Sequence, residues 1–253
     1  MFGTAHIVYM VVSFAITIGL LVLFYFTIKN EKGKKIVLLV AAISTVVLHF
    51  SSLWVDFFST GEAVAQEPML LPIYPCNVLM WMLLIVSILK KRENNVAYNM
   101  LAEFTFYAGV VCGIIGIVLN ENFANNPNLA DWEILKGLLS HSTMVFGCAY
   151  LLVGGYVKIR VFNVVSGIAG LIIFLIDGMI INGLYSLFKL DPCNSMYMLE
   201  YPFPQLPWLS PYLMGLFAVV LVFAITAIYE QFALKKEERW YQIFKKQKAE
   251  EKK

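Results

Sequence analysis

Charge is what this 253-residue chain has least of. Asp, Glu, Lys and Arg make up 14% of it, against about 25% in an ordinary soluble domain. The 19 Lys and Arg nearly cancel the 17 Asp and Glu, leaving +2. No basic field of the kind that binds nucleic acid exists, so no nucleic-acid partner is expected. Cysteine is equally thin: Cys76, Cys112, Cys148 and Cys193 are too scattered for a disulfide framework and show no C-x-x-C spacing. Three of the four lie in apolar runs, so zinc and redox motifs are unsupported and no metal or cofactor is expected. An internal repeat is also missing. The glycines of one late apolar run (Gly167, Gly170, Gly178, Gly183) have no counterpart in the first half, as an inverted-repeat transporter would need; they read instead as points of close helix packing.

What the chain has in excess is apolar surface, 60% of its residues against about 45–50% in soluble domains. A membrane helix needs roughly 20 apolar residues at 1.5 Å each, and seven runs qualify: 6–28, 36–58, 72–89, 98–119, 135–156, 162–188 and 211–233. The expected fold is therefore all-α, a polytopic bundle of seven transmembrane helices over 1–233 followed by a tail, 234–253. The first run lacks a basic segment before it and a small-residue cleavage site after it, so it is expected to be a retained helix. All 19 Lys and Arg except Lys136 and Lys189 fall on one side of this arrangement, which places the N-terminus outside and the C-terminus in the cytoplasm. The tail mixes Lys and Arg with Trp240, Tyr241, Ile243 and Phe244. That pattern suits a helix lying on an anionic inner leaflet, and equally a solvated basic tail. Trp208 and Tyr212 are placed as interface anchors, and His6 as an interface residue.

Ionisable groups within a bilayer cost a few kcal/mol on insertion scales, so each one asks for a function or a partner. With the orientation above, Cys76 lies about 4 residues and His141 about 6 residues inside the outer ends of their runs, roughly 6 and 9 Å at 1.5 Å per residue. His49, Asp177 and Asn182 come to the same outer half, with Asp56 nearer the surface, and Glu103 lies toward the cytoplasmic side. Cys76 follows Pro72 and Pro75, which puts it in the first turn of a helix, where the N-terminal dipole favours a thiolate. His141, between Ser140 and Ser142, has the chemistry to take the thiol proton and return it to a leaving group. Asp177 or Asn182 would then hold its other nitrogen. The bland readings are a Cys76 that merely packs and a His141 that bonds a facing helix; Cys112 and Cys148 read as small buried hydrophobes. Spacing alone leaves enzyme and transporter level.

The segment Leu71-Pro72-Ile73-Tyr74-Pro75-Cys76-Asn77, with Ser140-His141-Ser142, resembles the integral membrane family that joins bacterial YwaF-like proteins to eukaryotic transmembrane protein 164. Length, span number and motif positions are similar along nearly the whole chain. Bacterial members usually carry His where Tyr74 stands here. The eukaryotic member is regarded as a membrane acyltransferase that builds ether phospholipids through a Cys and a His, and by motif these correspond to Cys76 and His141. The resemblance implies a cysteine-dependent acyltransferase or lipid acyl hydrolase of a multi-pass bacterial plasma-membrane protein. It also implies membrane phospholipids as partners and substrates. Cys76, His141 and Asp177 are the expected catalytic residues, and His49, Asn77, Asn182 and Tyr74 the expected substrate contacts. The alternative is a non-enzymatic carrier or receptor in which His49, His141 and Asp177 bind a polar solute or proton. Nothing in the chain specifies an oligomeric state.

Overall fold

A computed structural model describes residues 3–61, 71–90, 95–120, 123, 128–191, 193–200 and 210–250, with side chains of the last helix as far as 246. The regular structure among these residues is helical throughout, without strands. The helices are α1 (Thr4–Thr27), α2 (Glu31–His49), α3 (Ser51–Thr60), α4 (Pro75–Ile88), α5 (Val96–Val118), α6 (Trp132–Val153), α7 (Asn163–Leu187), α8 (Pro211–Ala233) and α9 (Trp240–Glu250). Their starts follow from local chemistry: the side chains of Asn30, Asn95, Asp131 and Ser210 accept from backbone N–H groups of the first turns of α2, α5, α6 and α8. Proline opens both α4 and α8, where its missing N–H costs nothing.

The protein is thus an all-α membrane protein. Among the described residues four helices, α1, α5, α7 and α8, are long and apolar enough to cross a bilayer. The run at 36–58 is not one straight helix. It breaks at Phe50 into α2 and α3, bent by 43°, and counts as a fifth span if the pair crosses together. Ser51 sits at the break and donates to Leu48 O at 2.7 Å, a local bond that competes with the helical ladder. Two other runs also differ from expectation. α4 has 14 residues, about 21 Å of helix, and α6 has the length but carries Glu133, Lys136 and the polar stretch Ser140–Thr143. Trp208 and most of the Pro-rich segment 200–211 lie outside the described residues, as do Lys91 and Arg92 of the basic loop. Tyr212 is exposed.

The chain divides into two compact units, 1–157 and 158–253. In the first, α6 is the central element. Gly109, Gly113 and Gly116 form a stripe on α5, and a Cβ at each would overlap Cys148, Val145 and His141 of α6 respectively. Removing three side chains in register lets the two helices meet at near-backbone distance. Gly147, on another face of α6, does the same against Leu83 of α4 and Ala41 of α2. Thr45 of α2 donates to Thr143 at 3.0 Å. On the α1 side, Ser142 gives its proton to Leu138 O and accepts from both Tyr9 and Ser13, each bond 2.8 Å. His6 is not an interface residue: it is 0% exposed, donates from Nε2 to Ile117 O at 2.8 Å and lies 4.9 Å from the Phe123 ring. A polar ring can be buried there because the last carbonyls of α5 lack helical partners.

In the second unit, the segment 193–198 folds back on α7. Met196 and Met198 rest on Gly178, while a Cβ at Gly167 or Gly183 would meet nothing, so close packing falls to one of those three glycines. α9 is tied down as well. Glu230 of α8 is 1% exposed and accepts the backbone N–H groups of Val161 and Trp240, both at 2.7 Å. Phe244 meets Phe162, and Trp240 meets Phe223. The apolar residues at the start of the tail are therefore engaged with this unit's own helices.

Candidate functional site

Tyr74 has extended backbone and Pro75 is the first helical residue of α4, so Cys76 is the second. It lies in the first turn, whose backbone N–H groups have no intrahelical acceptors. The next residue organises the surroundings. Asn77 is 4% exposed, and its Oδ1 accepts from the Tyr74 N–H at 3.2 Å and from the Cys76 thiol at 3.8 Å. Its Nδ2 donates to Nε2 of His49 at 3.2 Å. That bond requires His49 to carry its ring proton on Nδ1 when neutral. His49 is the last residue of α2, immediately before the break at Phe50. The break and the start of α4 are thereby linked by one buried amide.

His141 approaches from α6. Its Nδ1 donates to Gly137 O, one turn earlier on the same helix, at 2.7 Å, so Nε2 is the nitrogen left to accept a proton. The imidazole lies against Gly116, where a Cβ would overlap Cδ2 and Nε2. Cys76 and His141 line one small cavity, together with Thr45, His49, Met80, Ser140 and Met144. Its walls combine two imidazoles and two hydroxyls with two thioethers, whose unbranched side chains adapt to a guest more readily than branched ones.

The expected site residues thus separate into two sets. Cys76, Asn77, His49 and His141 come together in the first unit, with Tyr74 contributing its backbone N–H. Asn182 and Asp177 belong to the second unit. The Asn182 side chain holds the fold-back segment, accepting from Ser195 N at 2.9 Å and from Cys193 at 3.5 Å and donating to Ser195 O at 3.2 Å. The Asp177 Oδ2 is buried and finds no donor among the described residues. The partner foreseen for the second nitrogen of His141 was Asp177 or Asn182; the Gly137 carbonyl fills that position.

Two contributors were not anticipated. Gly116 makes room for the imidazole, and its signal was the Gly109-x3-Gly113-x2-Gly116 spacing, a small-residue stripe on one helix face. Lys136, counted above among the outer basic residues, is 8% exposed. Its ammonium donates to Ser52 Oγ at 2.6 Å and pairs with Glu133 at 2.9 Å. One turn earlier, the Trp132 indole N–H donates to Ser51 at 3.1 Å. These bonds staple the α2–α3 break to the helix that carries His141. Among the described residues no group of three or more His, Cys, Asp or Glu has metal-binding geometry.

Comparison with curated protein sequences and with solved structures finds no match. The model of the TMEM164 family matches residues 1–229, a stretch that takes in Cys76, Asn77, His49, His141 and every helix from α1 to α7, and the chain belongs to that family.

Proposed function

We propose that the protein is a membrane acyltransferase, or with water as acceptor an acyl hydrolase, that uses Cys76 as nucleophile and His141 as base on phospholipid esters. The observation that carries this reading is the shared cavity, to which Cys76 and His141 both contribute wall. His141 Nε2 takes the thiol proton and the sulfur attacks the ester carbonyl. The tetrahedral adduct collapses to a thioester, and the departing lysolipid alkoxide receives the proton from His141. An acceptor alcohol then gives its proton to His141 and attacks the thioester, which regenerates the thiol. Exclusion of water favours a lipid alcohol over hydroxide in the second half. Asn77 orients the thiol, and His49, held by Asn77, lines the place where the ester lies.

The same reading takes α1, the α2–α3 pair, α4, α5, α6, α7 and α8 as seven crossings, with the N-terminus outside and α9 at the cytoplasmic face of a bacterial plasma membrane. The distribution of Lys and Arg supports it. The test is intact-protein mass spectrometry of the purified chain after incubation with phospholipid. An acyl mass on the protein that is lost with hydroxylamine and absent from Cys76→Ser is expected. An unmodified wild-type protein, or an adduct that persists in a folded Cys76→Ser variant, overturns the thioester mechanism.

A further inference from the structure

A buried cation inside a helical bundle asks for more than one exposed counter-ion. Lys136 is such a cation. Its side chain is 9% exposed, whereas that of its partner Glu133 is 39% exposed. The ammonium has three protons. Two are directed at Ser52 and Glu133, and no acceptor for the third is found among the described residues. Glu133 is therefore a removable partner at the edge of the bundle, while Lys136 and Ser52 stay inside it.

Position gives the cation its meaning. Lys136 precedes Ser140 by one turn on the same face of α6, and Ser140 lines the cavity shared by Cys76 and His141. One turn is about 5.4 Å of rise. In a glycerophospholipid five bonds separate the sn-2 carbonyl carbon from phosphorus, a span of about one turn. A lipid with its ester at Cys76 thus places its phosphodiester at the level of Lys136. We propose that Lys136, with the Ser52 hydroxyl, is the phosphate-binding site for the glycerophospholipid substrate, and that Glu133 occupies the ammonium until the lipid phosphate displaces it. The proposal rests on the acyl-transfer reading above for its substrate, but the binding step needs no nucleophile. No covalent bond changes; one anion replaces another on Lys136, and the released Glu133 carboxylate turns to water.

The experiment measures equilibrium retention of a labelled diether phosphatidylcholine, whose alkyl chains cannot be transferred, by the full chain in mixed micelles. The matched neutral dialkylglycerol and inorganic phosphate serve as comparison probes. Lys136→Gln is expected to weaken phospholipid retention at least about tenfold, the loss of a charge-assisted bond, and to leave dialkylglycerol retention unchanged. Lys136→Arg restores it. Glu133→Gln, which removes the competing anion, tightens phospholipid retention several-fold. A merely structural ion pair predicts the opposite for Glu133→Gln, namely a lower melting temperature without tighter retention. Millimolar inorganic phosphate should not displace the lipid; if it does, the site reads free phosphate and the proposal fails. Equal retention by wild type and Lys136→Gln also overturns it. Should Lys136→Gln not fold, Glu133→Gln and Lys136→Arg decide. Lys136-dependent retention of the diether lipid by a wild-type chain that gains no acyl adduct from a diacyl phospholipid would overturn the Cys76 mechanism alone.

Discussion

Gly116→Ala separates the geometry of His141 from the stability of the bundle. The new methyl would occupy the space of the imidazole Cδ2 and Nε2, so the ring must turn away. Turning costs the Gly137 bond, about 1 kcal/mol net, and an off-rotamer side chain, about 1 kcal/mol. Against this, alanine is about 1 kcal/mol better than glycine within a helix. The net loss of stability is about 1 kcal/mol, small against the total for a folded protein. Catalysis has no such offset. A reacting group displaced by about 1 Å costs roughly a hundredfold in rate, and a turned ring loses the position that Gly116 and the Gly137 carbonyl give it beside the cavity. The assay compares thermal melting in detergent with the rate at which phospholipid acylates the protein. Gly109→Ala is the control, because its methyl meets Cys148 on the same helix pair, two turns from His141. We expect both variants to melt within a few degrees of wild type, with acylation slowed at least about a hundredfold in Gly116→Ala alone. Wild-type acylation by a folded Gly116→Ala variant, or equal slowing by Gly109→Ala, would refute the reasoning.

Asn77→Ala removes the acceptor of Tyr74 N–H and Cys76 and the donor to His49; we expect a stability loss of about 2–3 kcal/mol and slower acylation, and an unchanged acylation rate would release Asn77 from the site. Glu230→Ala strands two backbone N–H groups, worth about 2–5 kcal/mol together, and should free α9 for cleavage by added protease well below the melting temperature; equal protection of wild type and variant would count against the clamp. In intact cells a cysteine introduced into the tail after 246 should resist impermeant thiol reagents until the membrane is opened, if the tail is cytoplasmic as we propose from the distribution of basic residues. Labelling from outside would reverse the topology and move the site to the other leaflet.

Run length and composition decide whether a segment is helical and apolar, because both depend on neighbours along the chain. The membrane class, the helices that carry the motifs and the place of Cys76 in a first turn after Pro75 were all legible for that reason. Depth along a helix is likewise a matter of counting, so Cys76 and His141 were placed at one level before any packing was known. Rotation about a helix axis is another matter. Which face of α5 meets α6 is decided by the loss of three side chains at Gly109, Gly113 and Gly116, and a hydropathy average does not register where side chains are missing. The same holds for the buried polar groups. Lys136 was counted as an outer charge because an apolar run has no way to show that Ser52, 84 positions away, waits across the α2–α3 break. His6 looked like an interface residue because its acceptor is a carbonyl 111 positions away. The division of labour at His141 was misread for a related reason. Sequence offered Asp177 and Asn182 as polar side chains at the right depth, but an unremarkable backbone carbonyl at Gly137 lay one turn off and in reach. Local pattern determined which segments are apolar helices; the break between α2 and α3, the faces the helices present to one another, and so the partners of each buried polar group, were decided only when helices from distant parts of the chain packed.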